Sequence, residues 1–345
     1  MLRLLARLEV RTFPFLRRTF VMAKKIVTIF GGSGFIGRYL VRALAPTGAA
    51  IRIASRSKNH TSLCKSMGDV GQIAIFPCNV RDSQAVQEAI SGSNAVVNLT
   101  GVLYQRGRQT FDEIHRKGPA CMASIAADAG VKTFVHISAI GANSKSRSLY
   151  SKSKGEGEVA VHNIFKDATI MRPSLVFGPE DDFFNRFAAY AQFFPALPLI
   201  GGGNTKFQPV HVCDVAQSII WSLQNKEARG QIFELGGPRV ATFRELMELL
   251  LATINRRRLL VPVPFWLSAL GGDLIERLLA LPARAIPALT PAPPITLDQV
   301  RLMREDNIVS RGSLGLTAMG ISPVSMETAL PSYLKRFHNR KLAPR

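Results

Sequence analysis

Three polar residues in the middle of the chain have the types and spacing needed for proton transfer. Tyr150 and Lys154 are four residues apart, so they share one face if the segment is helical. A lysine ammonium beside a phenol stabilises the phenolate and should lower the pKa of the tyrosine. Ser138, at the end of the preceding predicted strand, could hydrogen-bond the same substrate oxygen. The three residues are therefore candidate catalytic residues, active or vestigial, although Tyr and Lys also occur at this spacing on ordinary helix faces.

A glycine cluster near the start of the chain has the pattern of a dinucleotide-binding loop. Gly31, Gly34 and Gly37 follow a short apolar run, residues 26–30, and open an amphipathic stretch, residues 35–45. In such a loop the first glycine permits a sharp turn, the second lets the backbone approach a pyrophosphate, and the third lets the helix pack closely. The alternative is a glycine-rich turn without a ligand. The predicted cofactor-binding residues in this loop also include Ser33, Phe35 and Ile36.

The segment after the second predicted strand distinguishes the two nicotinamide dinucleotides. An NAD site usually places an acid here to hold the ribose 2′-hydroxyl group, but no acid occurs between Arg38 and Lys65. Ser55, Arg56 and Lys58 instead suit a 2′-phosphate. We therefore predict NADPH (NADP) as the preferred cofactor, with NAD(H) possible; the alternative is a solvated basic loop.

Strand and helix patterns alternate along much of the chain. This alternation predicts an α/β fold with a parallel, doubly wound sheet, the NAD(P)-binding Rossmann fold. A ligand then sits beyond the carboxyl ends of the strands, where Thr100 and Gly101 follow one strand and Pro173 and Val176 lie by another. The predicted strands cover residues 26–30, 51–54, 72–76, 95–99, 133–137, 168–173 and 232–235, and a long helix is expected from about residue 110 to residue 129.

Three residues are expected to cap helices. Asp82 precedes a helical pattern, and Thr242 has Glu245 at capping-box spacing. Asp214 is expected to cap the helix that follows a short strand near residue 210. These caps would fix where the helices begin.

The chain is long and strongly basic. Its 345 residues carry a formal net charge of +20, which suggests an anionic partner such as nucleic acid, anionic lipid or an acidic assembly. The four cysteines form no C-x-x-C pair, so we expect reduced thiols and no metal site. Prolines interrupt the longest uncharged stretches, which argues against a membrane-spanning helix.

The chain divides into four predicted parts. Residues 1–23 form a basic extension, which is a mitochondrial presequence, a false start upstream of Met22, or a basic surface helix. A basic tail covers residues 338–345. The Rossmann domain covers residues 24–180 with returning segments near 205–237, and a smaller C-terminal α/β capping or membrane-facing subdomain covers residues 181–204 and 238–337.

Several motifs together resemble the short-chain dehydrogenase/reductase superfamily. Beside the glycine loop and Tyr-x-x-x-Lys they include Asn-Val-Arg-Asp at residues 79–82 and His-Ile-Ser-Ala at residues 136–139. More narrowly, Phe-Gly-Pro-Glu-Asp-Asp-Phe-Phe-Asn-Arg-Phe at residues 177–187 resembles the atypical branch that supplies the nucleotide-binding accessory subunit of respiratory complex I (NADH:ubiquinone oxidoreductase). The segment Leu-Pro-Leu-Ile-Gly-Gly-Gly at residues 197–203 belongs to the same resemblance.

The resemblance implies a tightly held NADPH, a structural or assembly role, and other complex I subunits near the quinone-binding region as partners. It also places Asn79 and Val80 near the adenine, although many relatives carry Asp where this chain has Asn79. The expected location is peripheral on the inner membrane, on the mitochondrial matrix side or the bacterial cytoplasmic side.

An anionic membrane surface is a further expected partner. Apolar runs at residues 259–267 and 274–279 follow the basic run at residues 255–258, which suits a bilayer edge. The alternative is an ordinary capping subdomain over a substrate cleft.

Two rival functions remain open. The chain could be an active NADP(H)-dependent reductase or a sugar-nucleotide epimerase or dehydratase of the same superfamily, because Ser138, Tyr150 and Lys154 are present. It could also bind RNA through its net charge, but it lacks RNP-like aromatic motifs, which argues against nucleic acid as the partner.

Overall fold

The computed structural model describes residues 25–56, 62–270 and 296–338. The predictions that fall on residues 1–23, Lys58, 274–279 and the tail beyond residue 338 lie outside the described residues. In chain order the strands are β1 (Ile26–Phe30), β2 (Ala50–Ser55), β3 (Ile73–Pro77), β4 (Ala95–Asn98), β5 (Thr133–Ile137), β6 (Thr169–Pro173), β7 (Val176–Phe177), β8 (Ala196–Ile200), β9 (Lys206–Phe207), β10 (Val210–His211), β11 (Ile232–Leu235), β12 (Ala241–Thr242) and β13 (Leu259–Val263).

A parallel sheet of seven strands lies at the centre of the described structure, in the order β3-β2-β1-β4-β5-β6-β11. In its middle, Val27 of β1 lies between Ile51 of β2 and Ala95 of β4. The strand order reverses between β1 and β4, which is the place where ligands bind in doubly wound sheets. The predicted fold class is therefore confirmed.

Helices cover both faces of this sheet. The helices are α1 (Phe35–Leu44), α2 (Ser62–Lys65), α3 (Ser83–Ile90), α4 (Gly118–Asp128), α5 (Leu149–Ile164), α6 (Phe184–Phe193), α7 (Val212–Gln224), α8 (Phe243–Thr253), α9 (Leu297–Leu302) and α10 (Met326–Leu334). Residues of α1 and α7 join one buried apolar cluster, and residues of α3, α4 and α5 join another. The strands between them are accordingly apolar on both sides.

The long helix expected over residues 110–129 is divided in two. Asp112–Lys117 forms a π-helical segment, and α4 follows directly. Pro119 has no N–H group to donate to the carbonyl of His115, so the α-helical ladder cannot continue through this point. Helix α5 packs against the same carbonyl, because a Cβ atom on Gly157 would lie 1.9 Å from the His115 oxygen.

A third apolar cluster lies in the C-terminal part of the chain. It contains side chains from α6, α8, α10 and β8, with Phe177, Phe184 and Phe243 among its largest buried members. Strand β13 pairs with β8 in parallel, and β12 pairs with β9. Apart from β9, which falls in the segment predicted to return to the Rossmann domain, these helices and strands lie in the predicted smaller subdomain, whose boundaries stay a prediction.

Two of the three expected helix caps are confirmed. The Asp82 carboxylate accepts hydrogen bonds from the N–H groups of Gln84 and Ala85, and Thr242 and Glu245 form a capping box. The prediction for Asp214 is wrong. Helix α7 begins three residues earlier than expected, at Val212, and its cap is His211.

Because of this earlier start, Asp214 lies in the first turn of α7, and its carboxylate reaches out of the helix. It accepts a hydrogen bond of 2.9 Å from the N–H group of Val324. Asp214 is buried, and this burial raises the pKa of its carboxyl group to about 6, against a smaller lowering by the Val324 bond.

Candidate functional site

The glycine loop between β1 and α1 has space for backbone and little else. Gly31 has φ of +79°, and a Cβ atom there would lie 3.2 Å from the backbone carbonyl of Leu99. A Cβ atom on Gly37 would lie 2.6 Å from the carbonyl oxygen of Gly31. Helix α1 begins at Phe35 without a side-chain cap or an acid in its first turn. The loop thus leaves the positive end of α1 to an anionic ligand.

Ser33 and Ser55 come together at the ends of β1 and β2. Their hydroxyl oxygens are 2.8 Å apart, within hydrogen-bond distance. Arg38 reaches back from α1 and donates from Nη1 to the carbonyl of Ser33 at 3.1 Å. Arg56 directly follows Ser55 and is exposed. Sequence reasoning did not include Arg38, although it directly follows the last glycine of the motif.

Asn79 and Val80 follow the end of β3. The Asn79 side-chain oxygen accepts hydrogen bonds from the N–H group and from Nε of Arg81, at 3.2 and 3.3 Å. Val80 is buried and packs in the apolar cluster beneath α3 and α4. These contacts fix the loop in which the adenine is expected.

Thr100 and Gly101 follow β4 at the switch point of the sheet. The N–H group and the hydroxyl group of Thr100 both donate to Oδ1 of Asn98, at 3.0 and 2.6 Å. The amide nitrogen of Asn98 lies 3.0 Å from Nδ1 of His136 on β5. Beside Gly101 there is open space, because a Cβ atom there would meet only His115 Nε2, at 3.8 Å. Sequence reasoning missed Asn98 and His136, whose pairing across two strands has no local signal.

Ser138, Tyr150 and Lys154 gather near the end of β5. Ser138 is buried, and its hydroxyl group has no hydrogen-bond partner among the described residues. Lys154 is buried and donates from Nζ to the carbonyl oxygen of Ile137 at 2.7 Å. Tyr150 is half-buried, and its ring packs edge-on against the His115 ring with centroids 5.4 Å apart. The structure therefore brings the three candidate catalytic residues to one region.

The pKa of Tyr150 moves in the direction opposite to the prediction. Burial raises the pKa of the Tyr150 phenol to about 12. Burial also lowers the pKa of Lys154 to about 8, against a raising by the charge of Glu158. Removal from water disfavours both charged forms. In the protein alone, desolvation therefore outweighs any help that Lys154 gives to the phenolate.

His115 supports the ring of Tyr150 from the π-helical segment. Its Nε2 accepts a hydrogen bond of 3.0 Å from the N–H group of Val102, and its Nδ1 lies 2.9 Å from the Ser153 hydroxyl oxygen. Because Nε2 accepts this hydrogen bond, it carries no proton, so Nδ1 carries the ring proton and the imidazole is neutral. Burial, together with the charge of Lys154, lowers the pKa of His115 to about 3. Sequence reasoning did not select His115, because its neighbours come from three separate segments.

Pro173 and Val176 lie where the chain leaves β6. The carbonyl oxygen of Pro173 accepts a hydrogen bond of 3.0 Å from the N–H group of Ile140. Val176 begins β7 and pairs with Val210 of β10. The backbone hydrogen bond between Ile140 and Pro173 connects the segment that follows β5 to the end of β6, two residues after Ser138.

The segment at residues 177–187 joins three parts of the molecule. Glu180 accepts a hydrogen bond of 2.7 Å from the hydroxyl group of Tyr39 on α1. Asp181 is buried and accepts one of 2.6 Å from the hydroxyl group of Tyr333 on α10. Asn185 accepts one of 2.5 Å from Arg336. Glu180 and Asp181 therefore connect α10 to α1, the helix that follows the glycine loop.

Neither a metal cluster nor a membrane-spanning helix appears in residues 25–56, 62–270 and 296–338. No group of three or more His, Cys, Asp and Glu side chains there could hold a metal ion. No helix there is long and apolar enough to cross a bilayer.

Comparison with known proteins gives a consistent set of relatives. Residues 27–236 match the family described as NAD dependent epimerase/dehydratase. An Arabidopsis thaliana protein, NADH dehydrogenase [ubiquinone] 1 alpha subcomplex subunit 9, mitochondrial, is 33% identical over 86% of this chain and 74% of its own length. The mouse protein of the same name is 31% identical over 90% of this chain and 80% of its own length.

Solved structures share the fold at low sequence identity. A UDP-glucose 4-epimerase from Thermotoga maritima, solved with UDP-glucose, has a TM-score of 0.65 and 17% identity. The alignment covers 90% of this chain and 98% of the epimerase. At this identity the likeness concerns the fold alone.

Proposed function

The chain belongs to the NAD dependent epimerase/dehydratase family, and within it to the branch of the complex I alpha subcomplex subunit 9 proteins, and on this premise we propose that it is an NADP(H)-binding accessory subunit of respiratory complex I. The observation that carries the proposal is the combination of these relatives with an uncapped helix α1 behind a glycine loop that has space only for backbone. Bound dinucleotide would stabilise the folded subunit, because it binds that state alone.

The surroundings of Ser55 support NADP(H) over NAD(H). The end of β2 carries Ser55 and the exposed Arg56 where an NAD site usually has an acid. The Ser33 hydroxyl group lies within hydrogen-bond distance of the Ser55 hydroxyl group, and the Arg38 guanidinium donates to the Ser33 carbonyl. Two hydroxyl groups and two guanidinium groups form a donor set suited to a 2′-phosphate.

The state of Tyr150 supports a structural role over turnover. A phenol whose pKa is raised to about 12 is a weak proton donor near neutral pH and is scarcely ionised to act as a base, so it is poorly matched to either direction of proton transfer. Lys154 donates a hydrogen bond to the backbone carbonyl of Ile137 and so connects α5 to β5. When bound, the dinucleotide would supply hydride chemistry. The contacts of Tyr150 and Lys154 with the protein favour a structural role for these two residues.

An active reductase or epimerase is the second candidate function. One observation favours it: Ser138, Tyr150 and Lys154 are gathered beside the end of β5, and the Ser138 hydroxyl group has no partner among the described residues. A substrate oxygen would satisfy this hydroxyl group. This candidate requires turnover that depends on Tyr150.

An exposed apolar surface supports a seat at the membrane edge, near the quinone-binding region of the complex. Phe193 is 80%, Leu259 71% and Trp266 64% exposed. Leu259 donates its N–H group to the carbonyl of Pro195, so the end of α6 and the start of β13 are adjacent. Arg257 is exposed just before β13 and adds positive charge to this surface. Apolar side chains beside arginine suit an anionic bilayer surface.

The test is to extract membranes of the native source with a mild detergent, separate complexes under native conditions and identify the band that contains this chain. We expect the chain to co-migrate with NADH dehydrogenase subunits and to release NADPH on denaturation. A free protein that exchanges NADPH readily and reduces a carbonyl substrate would overturn the proposal in favour of the reductase.

A further inference from the structure

The C-terminal segment at residues 296–309, here called the clasp, lies against the candidate site. It contains helix α9, which opens with a capping box between Thr296 and Gln299. After α9 it runs beside β9, where Asn307 donates its N–H group to the carbonyl of Lys206 and Asp306 accepts from the N–H group of Lys206, both at 2.8 Å. The clasp is therefore held to β9 by one backbone and one side-chain hydrogen bond with Lys206.

The other face of the clasp meets helix α5 through one carboxylate. Oδ1 of Asp298 accepts a hydrogen bond of 2.8 Å from the N–H group of Leu149, and Oδ2 accepts one of 2.9 Å from the N–H group of Tyr150. The Ser148 hydroxyl group donates to Oδ2 at 2.9 Å and itself accepts from the N–H group of Ser151. Asp298 is distant in sequence, yet it completes the cap of the helix that carries Tyr150 and Lys154.

This contact bears on the site because helix N–H groups at a first turn need acceptors. Without Asp298, the N–H groups of Leu149 and Tyr150 would lose their side-chain acceptor, and the positive end of α5 would lose an opposing charge. The first turn of α5 would then fray, and Tyr150 lies in that turn. The position of Tyr150 thus depends on the docking of the clasp.

A second residue of the clasp reaches the loops after β5 and β6. Asn307 donates from Nδ2 to the carbonyl of Ile140 at 3.3 Å, and its Oδ1 accepts from the hydroxyl group of Ser174 at 2.7 Å. Ile140 lies two residues after Ser138, and Ser174 directly follows Pro173. The clasp therefore contacts three of the segments on which the nicotinamide end of the site is built.

We propose that Asp298 is a positioning residue that couples the clasp to the dinucleotide site, so that dinucleotide binding and docking of the clasp on α5 stabilise each other. The inference rests on the proposed NADP(H) site and adds its regulation. The coupling is reciprocal: loss of the contact between Asp298 and α5 weakens dinucleotide binding, and bound dinucleotide stabilises that contact.

The experiment compares Asp298→Ala with Asp306→Ala in the full chain. Both variants remove a carboxylate of the clasp that accepts from backbone N–H groups, but Asp306 contacts β9 and not α5. We expect NADPH to bind about fivefold more weakly to Asp298→Ala, the factor typical of a lost helix cap, and with unchanged affinity to Asp306→Ala. Asp298→Asn keeps one acceptor oxygen and should fall between wild type and Asp298→Ala.

A second measurement, hydrogen exchange of backbone amides, tests whether bound NADPH stabilises the clasp. In the wild-type chain, NADPH should slow hydrogen exchange of backbone amides at residues 297–302, and this protection should vanish in Asp298→Ala. Without nucleotide, the amides at residues 149–151 should exchange faster in Asp298→Ala than in Asp306→Ala. A change in overall folding alone would not confine the difference to these two segments.

The outcomes separate the inference from the proposed function. A wild-type chain that binds no dinucleotide would overturn the proposed function and the coupling with it. Wild-type binding with equal NADPH affinity in Asp298→Ala and Asp306→Ala, or without NADPH protection at residues 297–302, would overturn the coupling alone.

Discussion

The ammonium group of Lys154 donates a hydrogen bond to the backbone carbonyl of Ile137, 2.7 Å away. This bond connects α5, which carries Tyr150, to β5, which ends directly before Ser138. It takes up one of the three donors of a lysine that the motif assigns to the phenol. Lys154 can therefore stabilise the packing of α5 on β5 whether or not Tyr150 transfers a proton to a substrate.

Tyr150→Phe should leave NADPH content and assembly unchanged. The substitution removes only the hydroxyl group, and the ring can keep its edge-on contacts with Phe111 and His115. The measurement is native separation of membrane complexes with assay of the nucleotide released. Loss of a carbonyl reductase activity in this variant would instead favour the second candidate function.

Arg56→Ala should lower the preference for NADPH over NADH by about tenfold or more, because a guanidinium–phosphate pair contributes on the order of 1.5–3 kcal/mol. NADH affinity should stay unchanged, since NADH has no 2′-phosphate. Titration of the purified chain with both dinucleotides measures the ratio. Lys226→Ala is the matched control: it removes one exposed positive charge just before β11, at the other edge of the sheet. Equal ratios in the two variants would contradict the role of Arg56.

Gly37→Ala should abolish NADPH binding and lower the free energy of unfolding by about 1–3 kcal/mol. The new methyl group would lie 2.6 Å from backbone atoms of Gly31 and Gly32, which cannot move without displacing the loop. Gly101→Ala provides the contrast, because its methyl group meets no protein atom closer than 3.8 Å. It should keep the stability of the wild type and lose NADPH affinity only if the cofactor passes there. Chemical unfolding and nucleotide titration separate these two effects.

Asp214→Asn should become more stable relative to wild type as the pH rises from about 4 to about 6. Over this range the buried Asp214, whose pKa is about 6, keeps its proton in the folded chain, while in the unfolded chain it has lost it. The folded wild type therefore loses stability as the pH rises, by up to about 3 kcal/mol, because a pKa difference of one corresponds to about 1.4 kcal/mol. Asparagine does not titrate. Unfolding curves of both chains across this pH range measure the difference, and parallel curves would contradict it.

Trp266→Asp should reduce binding of the purified chain to vesicles that contain anionic lipid. It removes an apolar ring that is 64% exposed and adds a charge that the bilayer surface repels. Val159→Asp is the control, because Val159 on α5 is 54% exposed and lies outside the proposed membrane surface. Vesicle sedimentation gives both affinities. An equal loss in the two variants would point to net charge and against this surface.

The conformation of the glycine loop was predictable because the constraints on it are local. Gly31 and Gly37 are set by turn geometry and by close packing within ten residues, and a sequence records such constraints directly. The alternation of strand and helix patterns was equally readable, since burial of both sheet faces imposes it.

Other contacts of the site could not be predicted, because they join distant segments. Asn98 and His136 meet across neighbouring strands, and Asp298 reaches Tyr150 from 148 residues away. The pKa of Tyr150 depends on how deeply α5 is buried, which spacing alone does not reveal. Asp214 illustrates the limit at short range: the helix starts three residues earlier than expected, so the expected cap instead accepts a hydrogen bond from Val324.

The bond between Asp181 and Tyr333 has a consequence for the order of synthesis. The two residues are 152 positions apart, and the carboxylate is buried. While the ribosome has not yet delivered residue 333, Asp181 lacks its phenol partner, so the segment that braces α1 through Glu180 and Tyr39 is incomplete. The central sheet can therefore form from residues 26–235 first, whereas the hydrogen bond between Asp181 and Tyr333 forms only after residue 333 has left the ribosome.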